Sequence, residues 1–254
     1  MRRKLDATGY DSDKSENTHY LRNYEEFFEH LVDKEIKLLE LGVEKGGSLL
    51  LWRDYFEKGT IVGLGINPVH IEDPIGRIHV YQGRQQDTGL LDCIAQKEAP
   101  DGFDVIIDDC SHIGELTRIS FWHLFENHMK PGGIYSIEDW GTGYWDRWID
   151  GKRYKSRIHT TYSWQRSRIT QFAQELLYNR VTQRLSHILK SSRIYKRRIP
   201  SHDYGMVGFV KELIDECGMS DITHPEWGCA PYRPSKIHKM HIPRGHVIIV
   251  KSYQ

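Results

Sequence analysis

Cysteines, long apolar runs and an excess of either charge are all scarce in this sequence. Four cysteines in 254 residues, none in Cys-x-x-Cys spacing, exclude a disulfide scaffold. The 35 basic and 35 acidic residues cancel, so no overall positive field would hold nucleic acid or an anionic membrane. No apolar stretch approaches the roughly 20 residues that are needed to cross a bilayer. The basic residues Arg2, Arg3 and Lys4 are not followed by the apolar segment of a signal peptide. We therefore expect a cytoplasmic globular protein with no membrane partner.

The zero net charge conceals an uneven distribution. Residues 1–150 contain 16 basic and 28 acidic side chains, whereas residues 151–200 contain 13 basic and one acidic. Blocks of one charge are commonly solvated faces. We interpret residues 151–200 as a basic helical insertion that offsets the acidic part of this chain or of a neighbouring subunit in a homo-oligomer. The alternative is a lid or collar for an anionic partner.

Short apolar runs alternate with amphipathic stretches along the first 140 residues. The runs predict strands at 36–41, 60–66, 78–81, 103–107 and 133–137. Helical spacing predicts helices at 24–34, 48–56, around Leu90 to Ile94, and at 116–129. Strands alternating with helices form βαβ units with right-handed crossovers. The sequence therefore predicts an α/β fold with a doubly wound, mostly parallel sheet.

The end of the chain has a different pattern. A helix is predicted at 207–217, followed by strands at 236–242 and 246–253 around the turn Pro243-Arg244-Gly245. A hairpin requires one of these strands to run antiparallel to the rest of the sheet. We expect one domain over residues 1–254, with an N-terminal helical cap at 1–35.

A glycine-containing turn follows the first predicted strand. Gly42 and Gly46 allow close backbone approach, Glu40 can bind an amine or hydroxyl of a ligand, and Ser48 opens the next helix. This arrangement suits a nucleoside-type cofactor. The alternative is an ordinary packing turn, since such turns are common in α/β proteins.

Pairs of acidic residues follow two strands. Asp108-Asp109 comes after the fourth and Glu138-Asp139 after the fifth. Adjacent parallel strands lie about 4.8 Å apart, so we expect the two pairs to converge. Four carboxylates would repel one another unless some were protonated or a cation were bound, and a hard divalent ion is the simplest solution. The alternative is a helix cap, which accounts for one acid in each loop.

His112 lies three residues after Asp109, at the same predicted edge of the sheet. An imidazole beside a metal can take a proton from an alcohol whose pKa the cation lowers. Most of the 14 histidines must be surface residues, and position alone distinguishes His112 from them.

These motifs together resemble the metal-dependent sugar O-methyltransferases of natural-product and antibiotic pathways. The resemblance covers residues 13–145 and 207–251. It is carried by Asp13-Lys14, His19-Tyr20, Leu39-Glu40-Leu41-Gly42-Val43, Ile106-Ile107-Asp108-Asp109-x-Ser111-His112, Pro131-Gly132-Gly133, Ile137-Glu138-Asp139 and Thr142-x-Tyr144-Trp145.

The resemblance implies a class I methyltransferase fold, which is Rossmann-like, with S-adenosyl-L-methionine as methyl donor and Mg²⁺ as metal. The matching metal ligands are Asp109, Glu138 and Asp139, and His112 matches the general base. Gly65 stands where the ribose-binding acid is usual, which leaves two alternatives: Asn67 replaces that acid, or the cofactor binds more weakly. The residues expected at the cofactor are Glu40, Gly42, Gly46, Ser48, Asn67, Gln85, Asp87 and Asp108.

The implied acceptor is a hydroxyl of a sugar or glycosylated small molecule. Two alternatives remain open. The same site could methylate another acceptor, such as a catechol-like molecule or an RNA ribose. The domain could instead be a non-catalytic binding protein that keeps the fold. No recognisable RNA-binding module is present, so we expect no nucleic-acid partner.

Overall fold

The computed structural model describes residues 4–15, 18–145, 147–153, 202–218 and 234–253. Residues 1–153 and 203–254 belong to one compact unit. Nearly all of the basic insertion predicted at 151–200 lies outside the described residues. The domain boundaries and the insertion therefore stay predictions.

Six α-helices are present in the described part of the chain. They are α1 (Thr18–Phe28), α2 (Gly47–Tyr55), α3 (Thr88–Glu98), α4 (Gly114–Asn127), α5 (Ile149–Arg153) and α6 (Gly205–Gly218). Short 3-10 turns cover Asp13–Ser15, Glu29–Leu31 and Trp140–Tyr144. Helix α1 begins six residues before the helix predicted at 24–34. The first turns of α1 already contain the core residue Leu21, together with Tyr20 and Asn23, which contact the site described below.

The seven described strands form one sheet. They are β1 (Lys37–Leu41), β2 (Thr60–Gly65), β3 (Ile78–Gln82), β4 (Phe103–Asp108), β5 (Met129–Glu138), β6 (Ile237–His241) and β7 (His246–Lys251). Their order is β3-β2-β1-β4-β5-β7-β6. Strands β1 to β5 are parallel, and β7 runs antiparallel to both β5 and β6. The predicted doubly wound, mostly parallel sheet with a C-terminal hairpin is confirmed.

Each face of the sheet is covered by its own apolar core. One core joins the sheet to α3, α4 and α6 through residues such as Leu91, Phe121 and Phe209. The other joins it to α1 and α2 through residues such as Tyr24 and Trp52. Side chains alternate between the two faces along each strand. The face on which a strand-end carboxylate lies is therefore fixed by its position in that alternation.

The strand order reverses between β1 and β4, because β2 and β3 extend the sheet on one side while β5 extends it on the other. In open α/β sheets, ligands bind beyond the carboxyl ends of the strands at such a reversal. Among the described residues, no helix is long and apolar enough to cross a membrane. The cytoplasmic location stays a prediction.

Candidate active site

Four carboxylates meet at the carboxyl edge of the sheet, on the side covered by α1 and α2. Glu40 lies on β1, Asp109 follows β4, and Glu138 and Asp139 lie at the end of β5. Glu40 and Glu138 are almost completely buried. Their position agrees with the alternation of the strands, since Leu39 and Leu41 on either side of Glu40 belong to the opposite core.

Asp108 does not join this cluster. Its side chain is buried on the opposite face of the sheet, where Ser120 and Tyr135 donate hydrogen bonds to it at 3.2 Å each. The expectation that both acidic pairs converge was wrong for this residue, because neighbouring residues of a strand point to opposite faces. Glu40 supplies the fourth carboxylate instead.

The side chain of Lys14 lies in the middle of the cluster. It is 1% exposed, and its Nζ lies 2.7 Å from Asp109 Oδ2, 3.1 Å from Glu138 Oε1 and 3.8 Å from Glu40 Oε1. A buried ammonium is costly unless it is paired, and here three carboxylates pair with it. Lys14 thus contacts Glu40, which is one of the residues expected at the cofactor, and two of the residues expected at the metal, Asp109 and Glu138.

Two tyrosines of α1 also bind carboxylates of the cluster. The hydroxyl of Tyr20 donates to Oδ1 of Asp139, and the hydroxyl of Tyr24 donates to Oε1 of Glu138. Tyr24 also accepts a hydrogen bond from Ser136 at 3.3 Å. The N-terminal segment, through Lys14 and these two hydroxyls, therefore contacts all three expected metal ligands.

One oxygen of each expected metal ligand stays outside these contacts. Lys14 binds Oδ2 of Asp109, and Oδ1 lies 3.7 Å from His112 Nε2. Oε2 of Glu138 is buried and has no hydrogen-bond partner among the described residues. The hydrogen bond from Tyr20 to Asp139 ends on Oδ1, and Oδ2 accepts none within the part of the chain that the structure describes. Oxygens of this kind are the ligands that Mg²⁺ takes in proteins.

Burial and mutual repulsion govern the ionisation of the cluster. Burial raises the pKa of Glu40 to about 7, and burial together with Asp109 raises the pKa of Glu138 well above its usual range. Burial would also raise the pKa of Asp109, but Lys14 outweighs it and holds that pKa below its ordinary value. Lys14 pairs with three of the four carboxylates, and protonation or a further cation would relieve the repulsion that remains.

His246 on β7 closes the far side of the cluster. It pairs directly with Glu138 across β5 and β7, and its Nε2 lies 4.0 Å from Glu138 Oε2. Its Nδ1 lies 3.0 Å from the amide nitrogen of Asn23, so Nδ1 is the acceptor and Nε2 carries the hydrogen. Burial lowers the pKa of His246 to about 3, with Lys14 adding to the shift, so the ring is neutral.

His112 and Asp139 share an unusual backbone conformation. Both have φ of +50°, and among the described residues no other non-glycine residue has a positive φ. Such a conformation costs about 1–3 kcal/mol and is concentrated at functional sites. Thr142 and Trp148 hold the loop, since both donate to the carbonyl of His112, at 2.9 and 3.1 Å. The strain places the expected base beside an expected metal ligand.

The glycine turn after β1 supports the same cluster. Gly42 has φ of +103°, and a Cβ there would lie 1.9 Å from the carbonyl oxygen of Asp109. Gly46 has φ of +88° and precedes α2, and Ser48 donates to Glu40 at 2.9 Å. Gly42 therefore allows a close approach to the Asp109 backbone, and the predicted approach to a cofactor stays a prediction.

The other residues expected at the cofactor are placed apart from the cluster. Gln85 is buried, where its amide nitrogen faces Asp108 at 3.3 Å and its oxygen accepts from the Ser111 backbone at 3.1 Å. Asp87 caps α3 by accepting from Leu90 N at 3.1 Å. Asn67 is exposed after β2. Their roles at a cofactor stay predictions, as do those of Glu40, Gly42, Gly46, Ser48 and Asp108.

Part of this chain is similar in sequence to known proteins. No family model matches the chain. Over 131 residues it is 40% identical to mycinamicin VI 2''-O-methyltransferase of Micromonospora griseorubida. The matched region covers 48% of this chain and 32% of that protein. Over 128 residues it is 41% identical to 8-demethyl-8-(2-methoxy-alpha-L-rhamnosyl)-tetracenomycin-C 3'-O-methyltransferase of Streptomyces olivaceus, with the same coverage.

A solved structure is similar along almost the whole chain. The MycE methyltransferase from the mycinamycin biosynthetic pathway, in complex with Mg and SAH, matches 99% of this chain and 55% of its own, with a TM-score of 0.66 and 27% identity. The fold is that of a class I methyltransferase. This chain spans about half the length of that structure, and its match covers about a third of the two curated relatives named above.

The sequence did not assign a role to Lys14, Tyr20, Tyr24 or His246. Lys14 and Tyr20 were part of the resemblance, but spacing does not distinguish a buried lysine from a surface one. Tyr24 was expected only as an apolar core position. His246 was one of 14 histidines, and only the β5–β7 register brings it to Glu138.

Proposed function

We propose that this chain is an S-adenosyl-L-methionine-dependent and Mg²⁺-dependent O-methyltransferase that acts on a hydroxyl of a sugar or of a glycosylated natural product. The observation that carries the proposal is the set of Asp109, Glu138, Asp139 and His112 at the carboxyl edge of a class I methyltransferase sheet. The similarity to enzymes named as sugar O-methyltransferases supports the choice of acceptor.

The donor set fits a hard divalent cation. Asp109, Glu138 and Asp139 would hold Mg²⁺, because each offers a carboxylate oxygen outside the contacts of the N-terminal segment. Their oxygens are less tightly gathered than the Asp92, His123 and His128 group, whose ligating atoms all lie within 4.8 Å of one another. When bound, the metal would lower the pKa of the acceptor hydroxyl, and S-adenosyl-L-methionine would supply an activated methyl group.

The protein's own part is to position and deprotonate the acceptor. His112 takes the hydroxyl proton, for which its ring must lie within about 3 Å of the acceptor oxygen. Its Nε2 is 3.7 Å from Asp109 Oδ1, so the negative charge of Asp109 would stabilise the imidazolium that forms. The strained loop holds the ring in place before the acceptor arrives, and such positioning supplies much of the rate.

Glu40 and the turn from Gly42 to Ser48 are proposed to bind the methyl donor. Glu40 is buried beside Ser48 and keeps Oε1 without a hydrogen bond among the described residues, although Lys14 lies 3.8 Å away. An acceptor oxygen of this kind suits an amine or hydroxyl of the donor. The other residues proposed at the methyl donor are Asn67, Gln85, Asp87 and Asp108. Three of them, Gln85, Asp87 and Asp108, already have hydrogen-bond partners within the protein, so this set ranks below Glu40 and the turn.

The experiment that tests the proposal is transfer of a labelled methyl group from S-adenosyl-L-methionine to a panel of acceptors. The panel contains a macrolide glycoside, a tetracenomycin glycoside, a catechol and a short RNA, each with Mg²⁺ and with EDTA. We expect transfer to a glycoside that EDTA abolishes. Transfer to catechol or RNA alone would replace the acceptor, and binding of S-adenosylhomocysteine without transfer to any of them would favour a non-catalytic protein.

A further inference from the structure

The N-terminal segment contacts every expected metal ligand of the cluster. Lys14 binds Asp109 Oδ2 and Glu138 Oε1, Tyr24 binds the same Glu138 oxygen, and Tyr20 binds Asp139 Oδ1. Each contact uses one oxygen of a carboxylate. The other oxygen of each carboxylate stays outside these contacts.

We infer that Lys14, Tyr20 and Tyr24 are positioning residues that fix the three carboxylates in a metal-binding arrangement. The inference rests on the proposed function, since it concerns the same metal. Partners of this kind fix the orientation of a ligand and typically change metal affinity about 10- to 100-fold when removed. None of the three would touch the acceptor.

Lys14 admits a second interpretation that the experiment must separate. Its ammonium lies between two expected ligands, so it could instead compete with the metal for their charge. Positioning and competition predict opposite changes when the ammonium is removed. If Lys14 positions the carboxylates, its removal lets them move and weakens metal binding. If Lys14 competes with the metal, its removal makes the site more negative and strengthens metal binding.

The test is calorimetric titration of the whole chain with Mg²⁺ alone. The variants are Tyr20→Phe, Tyr24→Phe, Lys14→Met and Lys14→Arg. Tyr10→Phe is the matched control, because Tyr10 belongs to the same N-terminal segment but donates to Asp54 at 2.8 Å. Melting temperature and binding of S-adenosylhomocysteine show whether each variant is folded.

We expect Tyr20→Phe and Tyr24→Phe to bind Mg²⁺ about 10- to 100-fold more weakly and Tyr10→Phe to bind it normally. Lys14→Met should also bind it more weakly, and Lys14→Arg should recover part of the loss. Saturating Mg²⁺ should restore turnover of the tyrosine variants, which a general structural defect would not allow. If Lys14→Met fails to fold, the two tyrosine variants still decide the matter.

Unchanged Mg²⁺ affinity in both tyrosine variants, or tighter binding by Lys14→Met, would overturn the inference. Neither result would affect the proposed reaction, which the transfer assay tests separately. A wild-type chain that binds no Mg²⁺ would overturn both. The chain could also transfer methyl groups to no glycoside while the variants still bind Mg²⁺ more weakly. That result would rule out the proposed acceptor and leave the inference about the positioning residues intact.

A second group of metal-ligating side chains lies away from the active site, and it carries an independent proposal. His123 near the end of α4 and His128 directly after it both direct Nε2 to Oδ1 of Asp92 on α3, at 2.7 and 2.6 Å. Among the described residues, only these three bring their ligating atoms within 4.8 Å of one another. All three are partly exposed, so a metal ion in solution can reach them.

We propose that Asp92, His123 and His128 bind a transition-metal dication of the zinc type and so fasten α3 to the end of α4. Two imidazoles and one carboxylate suit zinc, copper or nickel, whereas the all-oxygen cluster of the active site suits magnesium. Each neutral ring would bind through Nε2 with its hydrogen on Nδ1. Three protein ligands leave a position for water.

The test is titration with Co²⁺, read by its visible absorption, followed by displacement with Zn²⁺. We expect one equivalent to bind, and Asp92→Asn, His123→Gln and His128→Gln each to weaken binding at least about 10-fold. His238→Gln, at an exposed position, is the matched control. A signal lost in Asp139→Asn but kept in Asp92→Asn, or no saturable binding by the wild type, would overturn the proposal.

Discussion

Oε2 of Glu138 and Nε2 of His246 face each other at 4.0 Å across the antiparallel strands β5 and β7. Both atoms are buried, and neither has a hydrogen-bond partner among the described residues. An unpaired buried polar atom costs about 1–3 kcal/mol, so this pair is an unfavourable feature of the fold by itself. A cation on the Glu138 oxygen would remove part of that cost, and this leads to the first prediction.

Mg²⁺ should stabilise the folded chain through Glu138. At a concentration 100 times its dissociation constant, it should raise the free energy of unfolding by about 2.7 kcal/mol, because it binds the folded state only. Glu138→Gln should remove most of this gain, since an amide is a weaker ligand for a hard cation. Urea unfolding with and without Mg²⁺ measures the difference. Asp92→Asn is the control, and equal stabilisation of Glu138→Gln would place the metal elsewhere.

His112 should be required for methyl transfer but not for binding. His112→Asn removes the base while keeping a residue that tolerates the left-handed backbone, and His112→Ala removes the ring altogether. Both should lower the rate of transfer by about 10²–10⁴-fold, the usual contribution of a positioned base. Calorimetry should show Mg²⁺ and S-adenosylhomocysteine binding close to wild type. Near-normal turnover in either variant would make His112 a structural residue.

Gly42 should be far less tolerant of a side chain than Gly76. Both have a positive φ, +103° and +71°, but a Cβ at Gly76 would meet nothing within 4 Å, whereas one at Gly42 would lie 1.9 Å from the Asp109 carbonyl oxygen. Gly76→Ala should cost about 1–2 kcal/mol from backbone strain alone. Gly42→Ala should cost about 1–3 kcal/mol more and weaken Mg²⁺ binding by displacing Asp109.

Urea unfolding of the two glycine variants supplies the stability difference, and Mg²⁺ titration supplies the functional one. If the two alanine variants were equally stable, the turn after β1 would have room to move away from Asp109. The close approach of Gly42 would then not be needed to place the metal ligand.

Asp73 should support stability in a pH-dependent way. Its carboxylate accepts hydrogen bonds from the backbone of Arg77 and Ile78 and from the Arg53 guanidinium. Burial alone would raise the pKa of Asp73, but these donors outweigh it and hold the pKa below the ordinary value. Asp73→Asn should therefore cost about 1–3 kcal/mol at neutral pH.

The sign of the pH dependence follows from the lowered pKa. The stabilisation is complete above the ordinary Asp pKa of about 3.9 and is lost as the pH falls through the lower folded value. Unfolding curves of wild type and Asp73→Asn should thus differ at pH 7 and converge toward pH 2. A difference that stayed constant with pH would mean that the charge of Asp73 contributes nothing.

Local sequence patterns were sufficient for most of the fold. Apolar runs such as residues 103–107 predicted the strands, because a strand buried on both faces has to be apolar. The turn at Pro243-Arg244-Gly245 predicted the hairpin, because two adjacent antiparallel strands need a tight turn between them. The beginning of α1 was missed although Leu21 belongs to the same core as Tyr24. Tyr20 and Asn23 in these turns contact Asp139 and His246, which lie far away in the chain.

The sequence by itself determined which chemistry is available: a glycine turn, two acidic pairs and a nearby histidine, in an order that matches a class I methyltransferase sheet. Only the tertiary structure decided which carboxylates share a site. Asp108 lies on the opposite face of the sheet and Glu40 takes the fourth place in the cluster, because alternate strand residues point to opposite faces. The tertiary structure also brought Lys14 and His246 to the cluster from opposite ends of the chain, since their neighbours are chosen by strand register and packing rather than by spacing along the sequence.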